Sequence, residues 1–113
     1  MSTIQPFAQP FIWGVSASGY QSEGGSVDSN WDRYNAETAT QDRYGNSVDF
    51  RHRYREDIRL AKELGVNTFR IGINWARVEP ADGQIAQQEL EYYDDVIRAM
   101  LEVGIAPLIT LDH

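Results

Sequence analysis

The run FRIGIN, residues 69–74, carries an arginine inside a short apolar segment. Phe69, Ile71 and Ile73 alternate with Arg70, which is the two-residue period of a β-strand with one apolar face. An unpaired charge is costly to bury, so the guanidinium of Arg70 needs a partner, and a local acid such as Glu23 or Asp32 is one candidate.

Two other patterns have the residue types that bind a charged ligand. Gly14 and Gly19 have the first spacing of a phosphate-binding loop, but no lysine follows and no helix is predicted to start at that turn. Glycines that permit a tight bend explain this stretch better. His52 and Glu56 lie four residues apart on a predicted helix, but no third ligand is evident. We therefore expect no cofactor and no metal.

The segments that must position these residues alternate between strands and helices. A polar stretch over 19–47 predicts a long loop with a short helix near Trp31, and loops of this length are often functional. The predicted strands cover 11–18, 67–74 and 106–112, and the predicted helices cover 49–64 and 87–103.

Each predicted helix has one apolar face, with side chains at steps of three and four residues. Gly65 and Gly104 follow the two helices and predict left-handed caps that end them. The predicted faces are Phe50, Tyr54, Ile58, Ala61 and Leu64 in the first helix, and Leu90, Tyr93, Ile97, Met100 and Leu101 in the second.

The junctions from helix to strand repeat. ELGV at 63–66 opens the second strand and EVGI at 102–105 opens the third. One strand, one loop and one helix per period form a βα unit, and successive units build a parallel sheet. The chain is therefore predicted as β-α-β-α-β, either in an open doubly wound sheet or as part of a (β/α)8 barrel.

Composition limits the class of protein and its partners. A chain of 113 residues suffices for one modest domain. The formal net charge of −7 argues against binding to nucleic acid or to anionic membrane surfaces, because both require a basic face. The sequence has no cysteine, no signal-like start and no apolar run long enough for a membrane span, so we expect a cytoplasmic location.

The order of several short motifs resembles glycoside hydrolase family 1, the β-glucosidase-like retaining enzymes. The resemblance implies the first three strands and two helices of a (β/α)8 TIM barrel, with 1–113 as the N-terminal portion of one catalytic domain and no second domain. The motifs are Trp13-Gly14, Tyr20-Gln21-x-Glu23-Gly24, Asn30-Trp31-Asp32, Tyr54-Arg55-Glu56-Asp57-Ile58, Lys62-Glu63-Leu64-Gly65, Phe69-Arg70, Ile73-x-Trp75-x-Arg77, Pro80, Gly83 and Thr110-Leu111-x-His113.

The resemblance also implies a mechanism with two glutamates, an acid/base and a nucleophile, and a glycosyl-enzyme intermediate. In the family these residues lie in Asn-Glu-Pro and Glu-Asn-Gly motifs, and neither motif occurs in this sequence. A complete barrel needs about 250 residues. We therefore expect a fragment with no catalytic residue of its own, which is inactive without the remainder of the barrel.

By resemblance, three residues serve the site that such a barrel would form. Arg70 would hydrogen-bond the nucleophilic glutamate and keep it ionised; from the residues alone, an ion pair with Glu23 or Asp32 explains Arg70 equally well. Gln21 would bind hydroxyls of the sugar, since an amide both donates and accepts, and the alternative is an amide that caps the loop. His113 would contact the same sugar, and the alternative is a disordered end.

Three further residues of the motifs are interpreted as structural. Trp31 is expected in the loop core, and Trp75 and Arg77 are expected to pack and pair near the end of the second strand. The expected partner of the chain is a β-glycoside or oligosaccharide. The alternative function is a non-catalytic carbohydrate-binding partial barrel, or one chain of a complementing pair.

Overall fold

The computed structural model describes residues 10–25, 28–38 and 44–113, and the rest of the predicted domain and loop lies outside the described residues. The predicted three strands and two long helices are confirmed, with shorter strands, and the loop after the first strand contains two helices. The strands are β1 Gly14–Ala17, β2 Thr68–Gly72 and β3 Ala106–Thr110; the helices are α1 Gly19–Ser22, α2 Asn30–Glu37, α3 Phe50–Leu64, α4 Trp75–Val78 and α5 Gln87–Glu102.

The strands form one parallel sheet in the order β1-β2-β3. Ser16, Arg70 and Leu108 are partners in register across it. Phe69 and Ile71 lie on the opposite face, in one apolar cluster with side chains of both α3 and α5. Both long helices therefore cover the same face of the sheet, whereas a doubly wound sheet carries helices on both faces. This arrangement is that of a partial barrel.

Helix α3 packs on the sheet with most of its predicted apolar face. Phe50, Ile58 and Ala61 are buried, and Gly65 ends the helix in the predicted left-handed conformation with φ of 94°. The prediction for Leu64 was wrong, because its side chain is 73% exposed. Val66, after the turn, packs against the core at that end instead.

Helix α5 contacts the core with a different stripe from the predicted one. Leu90 and Leu101 are exposed, so their assignment to the core was wrong, while Ile97 is half-buried. Successive residues of an α-helix point about 100° apart, so Leu101 points away from the core when its neighbour Met100 points into it. The buried side chains are Tyr93, Val96, Ala99 and Met100.

No helix among the described residues is both long and apolar enough to cross a lipid bilayer.

Candidate functional site

A cleft of about 710 Å³ lies at the carboxyl ends of the three strands. The segments that follow β1, β2 and β3 all contribute to it, and the helix α2 forms a further wall. In barrels built from βα units this end of the sheet holds the active site. The lining residues are 18–21, 28–31, Tyr34, Asn35, Tyr44, 72–76 and 111–113.

Gln21 lies in this cleft, on the single turn of α1 directly after β1. Its Oε1 accepts a hydrogen bond of 2.6 Å from the Ser18 hydroxyl. Its Nε2 donates over 3.4 Å to the Tyr44 hydroxyl, which is a weak contact. An amide has two acceptor lone pairs and two donor hydrogens, so these contacts leave capacity for further hydroxyls.

His113 lines the same cleft from the segment after β3, and its side chain is exposed. The structure thus brings together Gln21 and His113, which are far apart in the sequence. Both line this cleft because parallel strands end at the same edge of the sheet.

Arg70 lies on the sheet face opposite the helices, as the alternation predicts, and is half-buried. Its Nε donates to Thr110 Oγ1 over 2.7 Å, across to the neighbouring strand β3. Among the described residues Arg70 forms no ion pair, and Glu23 pairs with Arg77 instead, so the interpretation of a pair between Arg70 and Glu23 was wrong. Arg70 is not one of the residues that line the cleft.

A buried polar network beside the cleft was not predicted. Glu23 is 3% exposed, and its carboxylate accepts from Arg77 Nε over 3.1 Å and from the hydroxyl of Tyr93. Arg77 also donates to the Gly24 carbonyl over 2.7 Å, and the backbone N–H of Asn74 donates to the Tyr93 hydroxyl over 2.8 Å. Burial first, and then the negative charge of Glu23, raise the pKa of Tyr93, so its hydroxyl keeps the proton that it donates.

This network fixes the role of Arg77 as structural, in agreement with the prediction. The sequence signal for it was the acid of the Tyr20-Gln21-x-Glu23-Gly24 motif and the arginine of the later Trp75-x-Arg77 motif. Neither motif indicates by itself that the two side chains meet, because the partners are far apart along the chain.

The loop that carries Gln21 also runs close to other backbone. Gly24 has a positive φ of 83°, and a Cβ built on it would lie 2.3 Å from the Asn46 carbonyl oxygen. Gly19 faces Asn74 so closely that a Cβ would lie 3.0 Å from its Cβ. Close approach of the neighbouring chain therefore favours glycine at Gly19 and Gly24, whereas Gly14, the other glycine of the predicted bend, lies in strand β1.

Aromatic side chains form part of the cleft wall. Trp31 is 54% exposed and meets Tyr34 edge to face at 5.7 Å, so its expected place in the loop core was wrong. Helix α2 docks instead through Asn35, whose amide donates to the Tyr20 hydroxyl over 2.6 Å. Trp75 is also exposed in the cleft, so its expected packing was wrong, although its Nε1 donates to Glu79 over 2.8 Å.

The parallel βα sheet, with both long helices on one face and the cleft at the strand ends, defines a partial (β/α)8 barrel. Residues 3–113 match the sequence profile described as Glycosyl hydrolase family 1. The chain therefore belongs to glycosyl hydrolase family 1.

Similar sequences and a similar solved structure support this family assignment. Over 95% of its length the chain is 38% identical to Beta-glucosidase A of Acetivibrio thermocellus and covers 26% of that protein. It is similarly 36% identical to a bifunctional beta-D-glucosidase/beta-D-fucosidase of Bifidobacterium breve, over 95% of this chain and 25% of that protein. The family 1 β-glucosidase of Thermotoga maritima superposes with a TM-score of 0.86 at 32% identity, over 97% of this chain and 27% of that one. The chain thus spans about a quarter of the length of these relatives.

Proposed function

We propose that this chain is the N-terminal part of a retaining β-glycosidase that hydrolyses O-glycosidic bonds of β-glucosides. It contributes sugar-binding residues and depends on the remainder of the barrel for both catalytic glutamates. The observation that carries the proposal is the shared cleft of Gln21 and His113 at the carboxyl ends of the strands. Barrel enzymes bind their substrates at this end.

In this proposal 1–113 is one portion of a single catalytic domain. The cytoplasmic location is also proposed, from the lack of cysteine alone.

Gln21 and His113 would orient the sugar by hydrogen bonds to its hydroxyls. Vicinal hydroxyls each donate and accept, and the amide of Gln21 offers both functions from one rigid group. The Ser18 and Tyr44 hydroxyls contact that amide from two sides. A sugar held in this way presents its anomeric carbon to groups above the strand ends, as retaining hydrolysis requires.

Arg70 would support the nucleophile from the inner face of the sheet. Only its Nε has a hydrogen-bond partner among the described residues, the hydroxyl of Thr110. The two terminal nitrogens remain as a fork that matches a carboxylate. A glutamate contributed by a later strand would be kept ionised by this guanidinium, because the positive charge lowers its pKa.

The proposal is tested in the complete enzyme encoded by the reading frame that contains this chain, with an aryl β-glucoside as substrate. Gln21→Ala should lower kcat/KM about tenfold to a hundredfold, the range for hydrogen bonds lost to a substrate. Arg70→Met should move the acidic limb of the kcat/KM profile to higher pH by about one unit or more, because the nucleophile becomes easier to protonate.

Arg98→Met is the matched control for the loss of an arginine, because Arg98 lies on the exposed face of α5, where it pairs with Asp94. Its profile should be that of the wild type. An unchanged kcat/KM in Gln21→Ala, or an acidic limb that stays in place in Arg70→Met, would contradict the role of that residue.

A non-catalytic carbohydrate-binding module is the second candidate. Neither catalytic motif occurs in the sequence, and a relative that is 36% identical is named a probable inactive beta-glucosidase of rice. Sugar binding by the isolated chain with a sharp, monomeric unfolding transition would favour the module or a complementing pair. A reading frame that continues past His113 into an Asn-Glu-Pro motif would favour the barrel enzyme. Turnover by the isolated chain would refute its dependence on outside glutamates.

A further inference from the structure

We propose that Glu23 is a positioning residue for substrate binding: it anchors the turn that carries Gln21 and so sets where the Gln21 amide lies in the cleft. This inference rests on the proposed role of Gln21. Glu23 itself does not line the cleft.

The first step is that α1 cannot hold its own position. It is a single turn, Gly19–Ser22, with no buried residue and no side-chain cap. Isolated turns of this length are unstable in water, because nucleation fixes several dihedral angles for one hydrogen bond. Contacts from outside α1 must therefore decide the place of Gln21.

The second step is that the buried contacts of this kind converge on Glu23, the C-cap of α1, whereas the Ser47 hydroxyl, which donates to the Gln21 carbonyl, is exposed. Its side chain is 4% exposed and pairs with Arg77, whose side chain is 14% exposed. Its other carboxylate oxygen accepts from Tyr93 on α5, and its backbone oxygen accepts from the N–H of Arg51 at the start of α3 over 3.2 Å. One residue thus ties α1 to α3, α4 and α5.

The third step is that the buried Glu23 carboxylate can occupy only the position in which its hydrogen-bond partners satisfy it. A buried carboxylate loses its water shell, so it is stable only where its partners satisfy it. By contrast, Gln21 is exposed, and its contacts with Ser18 and Tyr44 are among exposed groups. Such contacts exchange readily with water, so they cannot set the position of the amide by themselves. Loss of the Glu23 charge should let α1 shift and move the amide away from the sugar.

The experiment is a double-mutant cycle with Gln21→Ala and Glu23→Gln in the complete enzyme, read as kcat/KM for an aryl β-glucoside. Glu23→Gln keeps the side-chain shape and removes the charge. If Glu23 acts through Gln21, Glu23→Gln alone should lower kcat/KM about tenfold but have almost no effect in the Gln21→Ala background. KM should carry most of the change, and Glu23→Asp should restore part of it.

Two results overturn the inference in distinguishable ways. If Gln21→Ala reduces kcat/KM and the two effects multiply, Glu23 does not act through Gln21, although the proposed function stands. If Gln21→Ala has no effect, the proposed role of Gln21 fails and the inference fails with it. Tyr93→Phe is a milder second variant, for the case that Glu23→Gln does not fold. It should show the same dependence on Gln21 at a smaller size, and multiplicative effects would again count against the inference.

Asp95→Asn is the matched control. The Asp95 carboxylate, like that of Glu23, accepts hydrogen bonds from one tyrosine and one arginine, here Tyr54 and Arg55. These bonds link α5 to α3, and Asp95 does not line the cleft. Its side chain is 38% exposed, against 4% for Glu23. Asp95→Asn should leave kcat/KM unchanged in both the wild-type and Gln21→Ala backgrounds. A loss equal to that of Glu23→Gln would mean that general destabilisation explains both.

Discussion

Replacement of Tyr93 by Phe removes one hydroxyl from the centre of the buried network and leaves the ring in place. The residue is 3% exposed, so the change creates no cavity larger than an oxygen atom. The neighbouring Tyr92 permits the same chemical change as a control. Its hydroxyl is also buried, but among the described residues it has no hydrogen-bond partner.

The expected size follows from the two hydrogen bonds of the Tyr93 hydroxyl. It accepts from the Asn74 N–H over 2.8 Å and donates to the Glu23 carboxylate. A neutral hydrogen bond contributes about 1 kcal/mol and one to a charged group about 1.5–3 kcal/mol, so Tyr93→Phe should destabilise the protein by about 2.5–4 kcal/mol. Tyr92→Phe should change the free energy of unfolding by less than about 0.5 kcal/mol or raise it, since removal of an unsatisfied hydroxyl ends a desolvation penalty.

The assay is urea-induced unfolding of the purified protein at neutral pH, followed by circular dichroism. A change in the midpoint with an unchanged slope reports a change in stability rather than in the compactness of either state. Equal losses in the two variants, or a larger loss in Tyr92→Phe, would refute the assignment of this network as a stabilising anchor.

Three further predictions use the same unfolding assay. Above about pH 10, the usual pKa of an exposed tyrosine, wild-type stability should fall with rising pH, because burial raises the pKa of Tyr93 only in the folded state and unfolding then releases a proton; Tyr93→Phe should flatten this decline, and an unchanged slope would contradict the cause. Gly24→Ala should destabilise by about 2 kcal/mol or more, since it combines a positive φ with a steric clash. Gly83→Ala, with φ of 73° and no neighbour within 4 Å, should lose only about 1 kcal/mol, and the reverse order would disprove the close approach. Met100→Ala should lose about 2–5 kcal/mol and the exposed Leu101→Ala less than about 1 kcal/mol, whereas similar losses would restore the predicted helix face.

Prediction from the sequence was most accurate where a feature depends on neighbours along the chain. The alternation around Arg70 correctly separated the two faces of β2, and Gly65 correctly marked the end of α3. Predictions failed where several apolar residues compete for one face. Leu90 and Leu101 fit a stepwise pattern, but the sheet covers only the stripe centred on Val96 and Met100.

In the candidate site, too, some features were predicted from the sequence and others were found only in the structure. Gln21 and His113 were selected by motif, and the structure adds that they share one cleft. The partner of Glu23 was not predicted, because the sequence offers several arginines and no local rule selects among them. Arg70 was an equally good candidate, yet Arg77 forms the pair.

The sequence by itself determined the family, the order of strands and helices, and the ends of the helices, because periodicity, caps and ordered motifs act over short separations. Only the tertiary structure decided which apolar residues are buried, which arginine neutralises Glu23, and that the segments after β1 and β3 line one cleft. Those outcomes depend on which parts of the chain pack against each other and exclude water. The burial of a charge or an apolar group is set by this packing, not by its neighbours in the sequence.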